Sequence, residues 1–257
     1  NPSMPQYFRN VRDDIVSLVP GDANDILEIG CAAGMTGNKL KQKPGVYVAG
    51  VELDHRAAVE AKKVLDDVIE GNIEKLELPF REKRFDCILF ADVLEHLIDP
   101  LEVLKKTRKF LKTDGSVIAS IPNVQYLGLV SQLVEGNWTY QDEGILDRTH
   151  LRFFTYHEII KLFDEAGYII SSINETLDPQ YKDAESQKTT LNLGRLSIRD
   201  LSPDELKKFF VYQYKVTAKL KDVVCDDKLF YDTKESHMED LFEKGKSLEN
   251  CGVYEEA

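Results

Sequence analysis

The strongest constraint on this chain is an alternation between residues 26 and 122. Four apolar runs recur there: ILEI (26–29), VYVAGVE (46–52), FDCILFAD (85–92) and SVIASIP (116–122). Helix-forming segments separate them. Short runs rich in Val, Ile and Leu, with few polar breaks, suit strands buried on both faces. Strands joined by helices pair in parallel through right-handed crossovers. The implied architecture is α/β, a Rossmann-like doubly wound sheet. Ligands bind such sheets where the strands' carboxyl ends emerge. Position alone therefore nominates Glu28–Gly34, Glu52–Asp54, Asn72–Ile73, Ala91–His96 and Pro122–Tyr126.

The connecting segments carry their own signals. NVRDDIVSLV (10–19) predicts a helix, with Asn10 as cap and Asp13 in the first turn. MTGNKLKQ predicts a second, ended by Pro44-Gly45. HRAAVEAKKVLDDVIEG (55–71) predicts one long helix stopped by Gly71. A short strand is placed near Ile73 or Leu76. PLEVLKKTRKFLKTDG (100–115) predicts a helix from Pro100 to just before Gly115. After Asn123 the pattern loosens, and residues 124–155 read as a lid or acceptor insertion. HEIIKLFDEAG (157–167) predicts a helix capped by Thr155, and YIISSINETL (168–177) a strand. A polar stretch, 178–201, follows. SPDELKKFF (202–210) starts a helix with Ser202 as cap, and FVYQYKVTAKL (210–220) predicts the last strand.

Composition narrows the function. A net charge of −12 over 257 residues disfavours extended nucleic-acid binding. Half of that charge sits in residues 221–257, with five Lys against eleven Asp or Glu. Cys31, Cys87, Cys225 and Cys251 form no C-x-x-C pair, so neither a zinc site nor a disulfide framework is expected. No run of about 18 apolar residues suggests a membrane span. The opening NPSMPQYFRNVRDD has no apolar signal run. A cytoplasmic protein in a reducing compartment is expected.

The turn after the first strand, ILEIGCAAGMTG (26–37), decides between ligands. A dinucleotide turn needs glycines at 30, 32 and 35, and only Gly30 matches. A phosphate-binding P-loop needs a Gly-Lys-Ser/Thr that does not follow. What fits is an acid followed by small residues two, four and six positions on: Glu28, Gly30, Ala32 and Gly34.

That pattern resembles motif I of class I S-adenosylmethionine-dependent methyltransferases. The resemblance continues in order: Gly50-Val51-Glu52, Gly71-Asn72-Ile73, FDCILFADVLEHL (85–97) and SVIASIPNV (116–124). It implies S-adenosyl-L-methionine as cofactor and adenosylhomocysteine as product. A ligand with a sulfonium and an ammonium but no phosphate suits an acidic pocket. By the resemblance, Glu28, Gly30, Cys31, Ala32 and Gly34 form the cofactor turn. Glu52 accepts the ribose hydroxyls, with Leu53 beside it. Asn72 and Ile73 read the adenine, Asn72 standing where the family often has Asp. Ala91, Asp92 and Val93 complete the strip.

Methyl transfer to a hydroxyl needs positioning and a proton acceptor. His96 and His150 are the candidate bases. DRTHLRFFT (147–155), with Tyr7-Phe8 upstream, resembles a type 11/12/23-like subgroup found with glycan and small-molecule biosynthesis. Asn123, Tyr126, Trp138, Arg148 and Arg152 are the expected acceptor contacts, Arg forks suiting carboxylate or phosphate. Asp92 and Asp147 are acids in the right region for a metal. No ligand set with recognisable spacing appears, so none is assigned.

The expectation is therefore one α/β domain over 1–220 with seven strands, the last antiparallel. An acidic tail over 221–257 follows, with ESHMEDLFEKGKSLEN (235–250) able to form an amphipathic helix. The expected activity is methyl transfer to a small-molecule or glycan-precursor acceptor, at oxygen. The alternatives are a cofactor-binding regulatory protein without catalysis and a nicotinamide oxidoreductase.

Overall fold

A computed structural model describes residues 10–179, 181 and 189–221. Tyr7-Phe8, Cys225, Cys251 and the proposed 235–250 helix lie outside the described residues.

Seven strands form one sheet: β1 (Asp25–Ile29), β2 (Tyr47–Glu52), β3 (Asp67–Glu70), β4 (Phe85–Ala91), β5 (Leu111–Pro122), β6 (Tyr168–Leu177) and β9 (Val211–Leu220). Their order is β3-β2-β1-β4-β5-β9-β6. All inner neighbours run parallel except β9, which lies antiparallel between β5 and β6. The antiparallel last strand of the sequence reading is therefore β9. The strand order reverses between β1 and β4, and this switch point opens a crevice at their carboxyl ends.

The sheet is covered on both faces. Leu27, Ile29, Ile88 and Phe90 point into one core, and Ile26, Cys87, Leu89 and Ile118 into the other. Successive residues of β1 and β4 thus serve opposite layers, which is why those runs show no polar alternation.

Four helices cover the parallel half: α1 (Asp13–Val16), α2 (Met35–Leu40), α3 (His55–Ala61) and α4 (Pro100–Arg108). All four are shorter than the sequence suggests, α2 ending at Leu40 before Pro44-Gly45 is reached. Helix α1 starts at Asp13, and Arg12, not Asn10, occupies its cap position. Helix α3 begins well, because the Asp54 side chain accepts the Arg56 and Ala57 N–H groups at 2.9 Å. It ends at Ala61 instead of running to Gly71. Asp66 then clamps the chain to β2, its carboxylate accepting the Val48 N–H at 2.8 Å while its own N–H donates to the Val48 carbonyl. The β-branched Val68-Ile69 that follow become β3, which replaces the strand expected near Ile73. Helix α4 stops at Arg108, and the Phe110 carbonyl accepts the Arg84 and Phe85 N–H groups at 2.9 Å, drawing the chain into β5.

The remaining elements are α5 (Leu127–Val134), α6 (Tyr156–Glu165), the hairpin β7 (Leu191–Leu193) with β8 (Leu196–Ile198), and α7 (Pro203–Lys208). The hairpin lies in the stretch read only as polar. Ser202 caps α7 in a full capping box with Glu205, as expected. Thr155 occupies the cap position of α6 without a side-chain hydrogen bond. Among the described residues no helix is long and apolar enough to cross a membrane.

Candidate functional site

The β1 turn is built from backbone that side chains would obstruct. Gly30 and Gly34 have φ of +70° and +78°. A Cβ on Gly30 would sit 2.6 Å from the Val93 Cγ2. The close approach of β1's exit to β4's exit therefore requires glycine there. Ala32 also lies in the left-handed region, at φ +49°. It occupies a glycine-like conformation at a cost of about 1 kcal/mol.

Glu52 holds this turn. One carboxylate oxygen accepts the Ala32 N–H at 2.7 Å, the other the Asp54 N–H at 2.8 Å. Each oxygen keeps a second lone pair, so the carboxylate can still accept two ribose hydroxyls. Leu53 beside it is 69% exposed, an apolar side chain facing out of the strand end.

Glu28 lies beneath the turn, 3% exposed, with one oxygen unpartnered. Burial pushes its carboxyl up to about 8, with the Glu52 charge adding and the Gly37 N–H opposing. Burial likewise raises the Cys31 thiol, which is an inert packing group in contact range of Gly50. Asn72 spends its side-chain oxygen on the Glu74 N–H at 2.8 Å, and Ile73 is packed into the main core.

Asp92, at the exit of β4, is held at φ +56° by a dense network. Its carboxylate takes Arg12, the Gln213 amide at 2.6 Å and the Ser120 hydroxyl at 2.9 Å. This occupies Asp92 as a structural knot between β4, β5, β9 and the chain before α1. Ala91 is half-buried and Val93 buried, lining the crevice opposite Gly30.

Beyond Val93 the chain makes a 3-10 turn, Leu94–His96, and meets the 124–155 segment. The Glu95 carbonyl accepts the Leu151 and Arg152 N–H groups at 2.8 and 3.0 Å. That bond pair brings His150 against His96, with ring centroids 4.7 Å apart, edge to face. The Glu95 side chain is 1% exposed, and neither carboxylate oxygen has a hydrogen-bond partner. One of them lies 4.0 Å from the His150 Nε2. Burial, with the Asp92 charge adding, pushes the Glu95 carboxyl well above its ordinary value. Burial, then the neighbouring His150, holds the His96 imidazole below its ordinary value. The sequence reading assigns roles to both histidines, whereas Glu95 enters it only within the nominated stretch Ala91–His96 and the run VLEHL, with no role.

The expected acceptor contacts divide. A cavity of about 240 Å³ is lined by Tyr140, Arg148 and His150. Arg148 is exposed there and pairs with Asp142 at 3.0 Å. Trp138 is 38% exposed and stands edge-on to Phe153 at 5.7 Å. Tyr126 caps α5 and donates its hydroxyl to Asp178. Two expectations are corrected. Asn123 is fully buried, and both its amide hydrogens are spent on the Lys208 and Val211 carbonyls at 2.9 and 2.7 Å, so it ties β5 to β9 instead of reading an acceptor. Arg152 turns its guanidinium onto the Leu151 and Ile98 carbonyls, which leaves its fork committed to backbone.

A methyltransferase-domain family model matches residues 5–173. The chain belongs to that family. The cofactor of the family is S-adenosylmethionine, and the turn described above fits it: a glycine cradle, a free pair of acceptor sites on Glu52 and a buried carboxyl in Glu28. A ubiquinone biosynthesis O-methyltransferase from Cereibacter sphaeroides is 27% identical over 160 residues, 60% of this chain. The match takes in 64% of that relative, just under two thirds of its length. A protein of the same name from Bartonella tribocorum is 24% identical over 199 residues, 68% of this chain and 78% of that one. Solved S-adenosylmethionine-dependent methyltransferases from Archaeoglobus fulgidus and Mesorhizobium loti share the fold, with TM-scores of 0.55 and 0.53 and 16% identity to each. They cover 83% and 80% of this chain, and each is matched over 96% of its own length.

Proposed function

We propose that this chain moves the methyl group of S-adenosylmethionine to an oxygen of a small hydroxylated acceptor, of the quinol or glycan-precursor kind. The observation that carries the reading is the Glu95–His150 pair, 4.0 Å apart and buried beside the exit of β4. When bound, the cofactor supplies an activated methyl carbon: the acceptor O–C bond forms, the C–S bond breaks and a neutral thioether leaves. The chain's own task is to hold the two partners in line and to take the hydroxyl proton.

His150 suits that task. Its Nδ1 lies 2.9 Å from the Ile145 carbonyl, so Nδ1 carries the hydrogen and Nε2 the lone pair. Glu95, behind Nε2, is placed to stabilise the imidazolium formed when the proton arrives. The cavity beside His150 gives an acceptor ring room between Tyr140 and Arg148. The O-methyltransferase names of the relatives from Cereibacter and Bartonella support an oxygen acceptor.

The test is adenosylhomocysteine formation over a panel of quinols, catechols, sugar nucleotides and amines, with the methylated atom assigned by NMR. Turnover with hydroxylated acceptors is expected. Methylation of amines alone overturns the oxygen assignment. No shift in melting temperature with adenosylhomocysteine, or a shift with NAD only, overturns the cofactor site.

A further inference from the structure

The 124–155 segment brings together three groups that the Proposed function uses only for a proton. One ring nitrogen each of His96 and His150 and one oxygen of Glu95 lie within 4.8 Å of one another. Glu95 and His96 leave β4 together, whereas His150 arrives from 54 residues further on, so no ligand spacing is readable in the sequence.

The ring nitrogens are already sorted. The Thr149 hydroxyl donates to Asp147 at 2.6 Å, so toward His96 it can only accept. The His96 Nδ1 lies 3.0 Å from that oxygen and 3.3 Å from the Thr149 carbonyl, two acceptors that place the hydrogen on Nδ1. His150 is fixed in the same tautomer by the Ile145 carbonyl. Both Nε2 lone pairs are thereby left for another partner. Nδ1–H donated to a backbone carbonyl is the support that metal-bound histidines usually have.

Glu95 adds the second observation. A carboxylate that is 1% exposed with two unpartnered oxygens has no hydrogen-bonded counter-charge. The Arg12 guanidinium, which is hydrogen-bonded to Asp92, Asp14 and Gln213, acts on Glu95 through space. His150, at 4.0 Å, is beyond hydrogen-bond reach. A divalent cation with ligands about 2.1 Å away would draw donor atoms to about 3.4 Å of each other. The present separations need side-chain rotations of about an ångström to reach that.

We propose that Glu95, His96 and His150 form a binding site for one divalent first-row metal ion at the acceptor side of the crevice. Two imidazoles and one carboxylate favour Zn²⁺, Co²⁺, Fe²⁺ or Mn²⁺ over Ca²⁺. Three protein ligands leave coordination positions open toward the Tyr140–Arg148 cavity, where an acceptor oxygen can enter. With the ion bound, the His150 Nε2 is a ligand and no longer the base, and a hydroxyl bound there would lose its proton to solvent at neutral pH, since the ion stabilises the alkoxide or phenolate. That use rests on the oxygen-acceptor reading; binding of the ion does not.

The experiment is a titration of chelator-treated full chain with Co²⁺, read by its visible absorption and by melting temperature, followed by displacement with Zn²⁺. One equivalent bound, with a rise in melting temperature, is expected. Glu95→Gln and His150→Ala should each weaken binding about a hundredfold or more, judged against the ten- to hundredfold cost of losing outer-shell partners. The exposed His55→Ala, whose ring pairs with Glu70 at the end of β3 and is not one of the three ligands, should not. Glu95→Gln carries a further signature: removing a buried unpartnered carboxylate should raise the melting temperature of the metal-free protein. If wild type binds no Co²⁺, or if binding survives both substitutions, the site is overturned. Adenosylhomocysteine run in parallel separates the two readings. A shift with it but none with Co²⁺ or Zn²⁺ sinks the metal site alone, and no shift with either sinks both.

Discussion

The two sides of the crevice are built by opposite means. At the β1–β2 side, backbone does the shaping: positive-φ residues at 30, 32 and 34, and one carboxylate, Glu52, spanning two turns. At the β4 side, side chains do it: Asp92 knotted to Arg12, Ser120 and Gln213, and Glu95 facing two histidines. A backbone-made site is local and tolerates little bulk. A side-chain-made site gathers residues from distant parts of the chain, so it can change its chemistry while the frame stays. Under the proposed function, that difference suits the first half to a constant cofactor and the second to a variable acceptor.

Substitutions should expose that difference. The largest effect is expected at Gly30. Gly30→Val places atoms where Val93 stands and forces a branched residue into positive φ, so calorimetry should show no adenosylhomocysteine binding. Retained affinity would mean that backbone shape does not make this half. Next is His150→Ala, which should lower turnover by about a hundredfold or more while leaving adenosylhomocysteine affinity within about twofold. An equal loss of both would deny that the halves act separately.

A smaller effect should appear in pH dependence. The Glu28 carboxyl is raised from 4.5 to about 8 in the fold. The folded chain then holds a proton that the unfolded chain releases, so stability falls as pH rises between those values. Glu28→Gln removes this loss. Its melting temperature relative to wild type should climb from pH 5 to pH 8, and a constant difference would show that Glu28 does not carry the burial cost. The smallest effect is Ala32→Gly, which relieves left-handed strain and should stabilise by about 1 kcal/mol in urea unfolding. Destabilisation would show that the alanine methyl contributes packing that outweighs the strain.

The same division governs what the sequence shows. The four apolar runs, the Glu28–Gly34 turn and the Ser202 cap are local patterns, and the fold keeps them where the residues place them. The overlong helices failed for a tertiary reason. Nothing within HRAAVEAKKVLDDVIEG shows that Asp66 will bond to Val48, and without that bond the helical period continues past Ala61. In the site, Glu52 could be located by spacing. Arg12 on Asp92 spans 80 residues, and Glu95 meets His150 across 55, so neither pairing leaves a local signal. Asn123 looked like a ligand reader because it is polar and stands at a strand exit, and Arg152 because its fork suits carboxylate or phosphate. Their hydrogen-bonding capacity is consumed by carbonyls of α7, β9 and the turn before α4.

Glu95 serves both sides of that boundary. Its main-chain oxygen anchors Leu151 and Arg152, and its side chain meets the histidine just before them. A chimera that imports a relative's counterpart of residues 124–155 therefore inherits a fixed splice point. The graft must present two consecutive N–H groups to this one carbonyl, or the imported histidine will be aimed elsewhere. Exchange of acceptor preference between such enzymes is then a problem of keeping register at 150–152, with the sequence inside the graft free to vary.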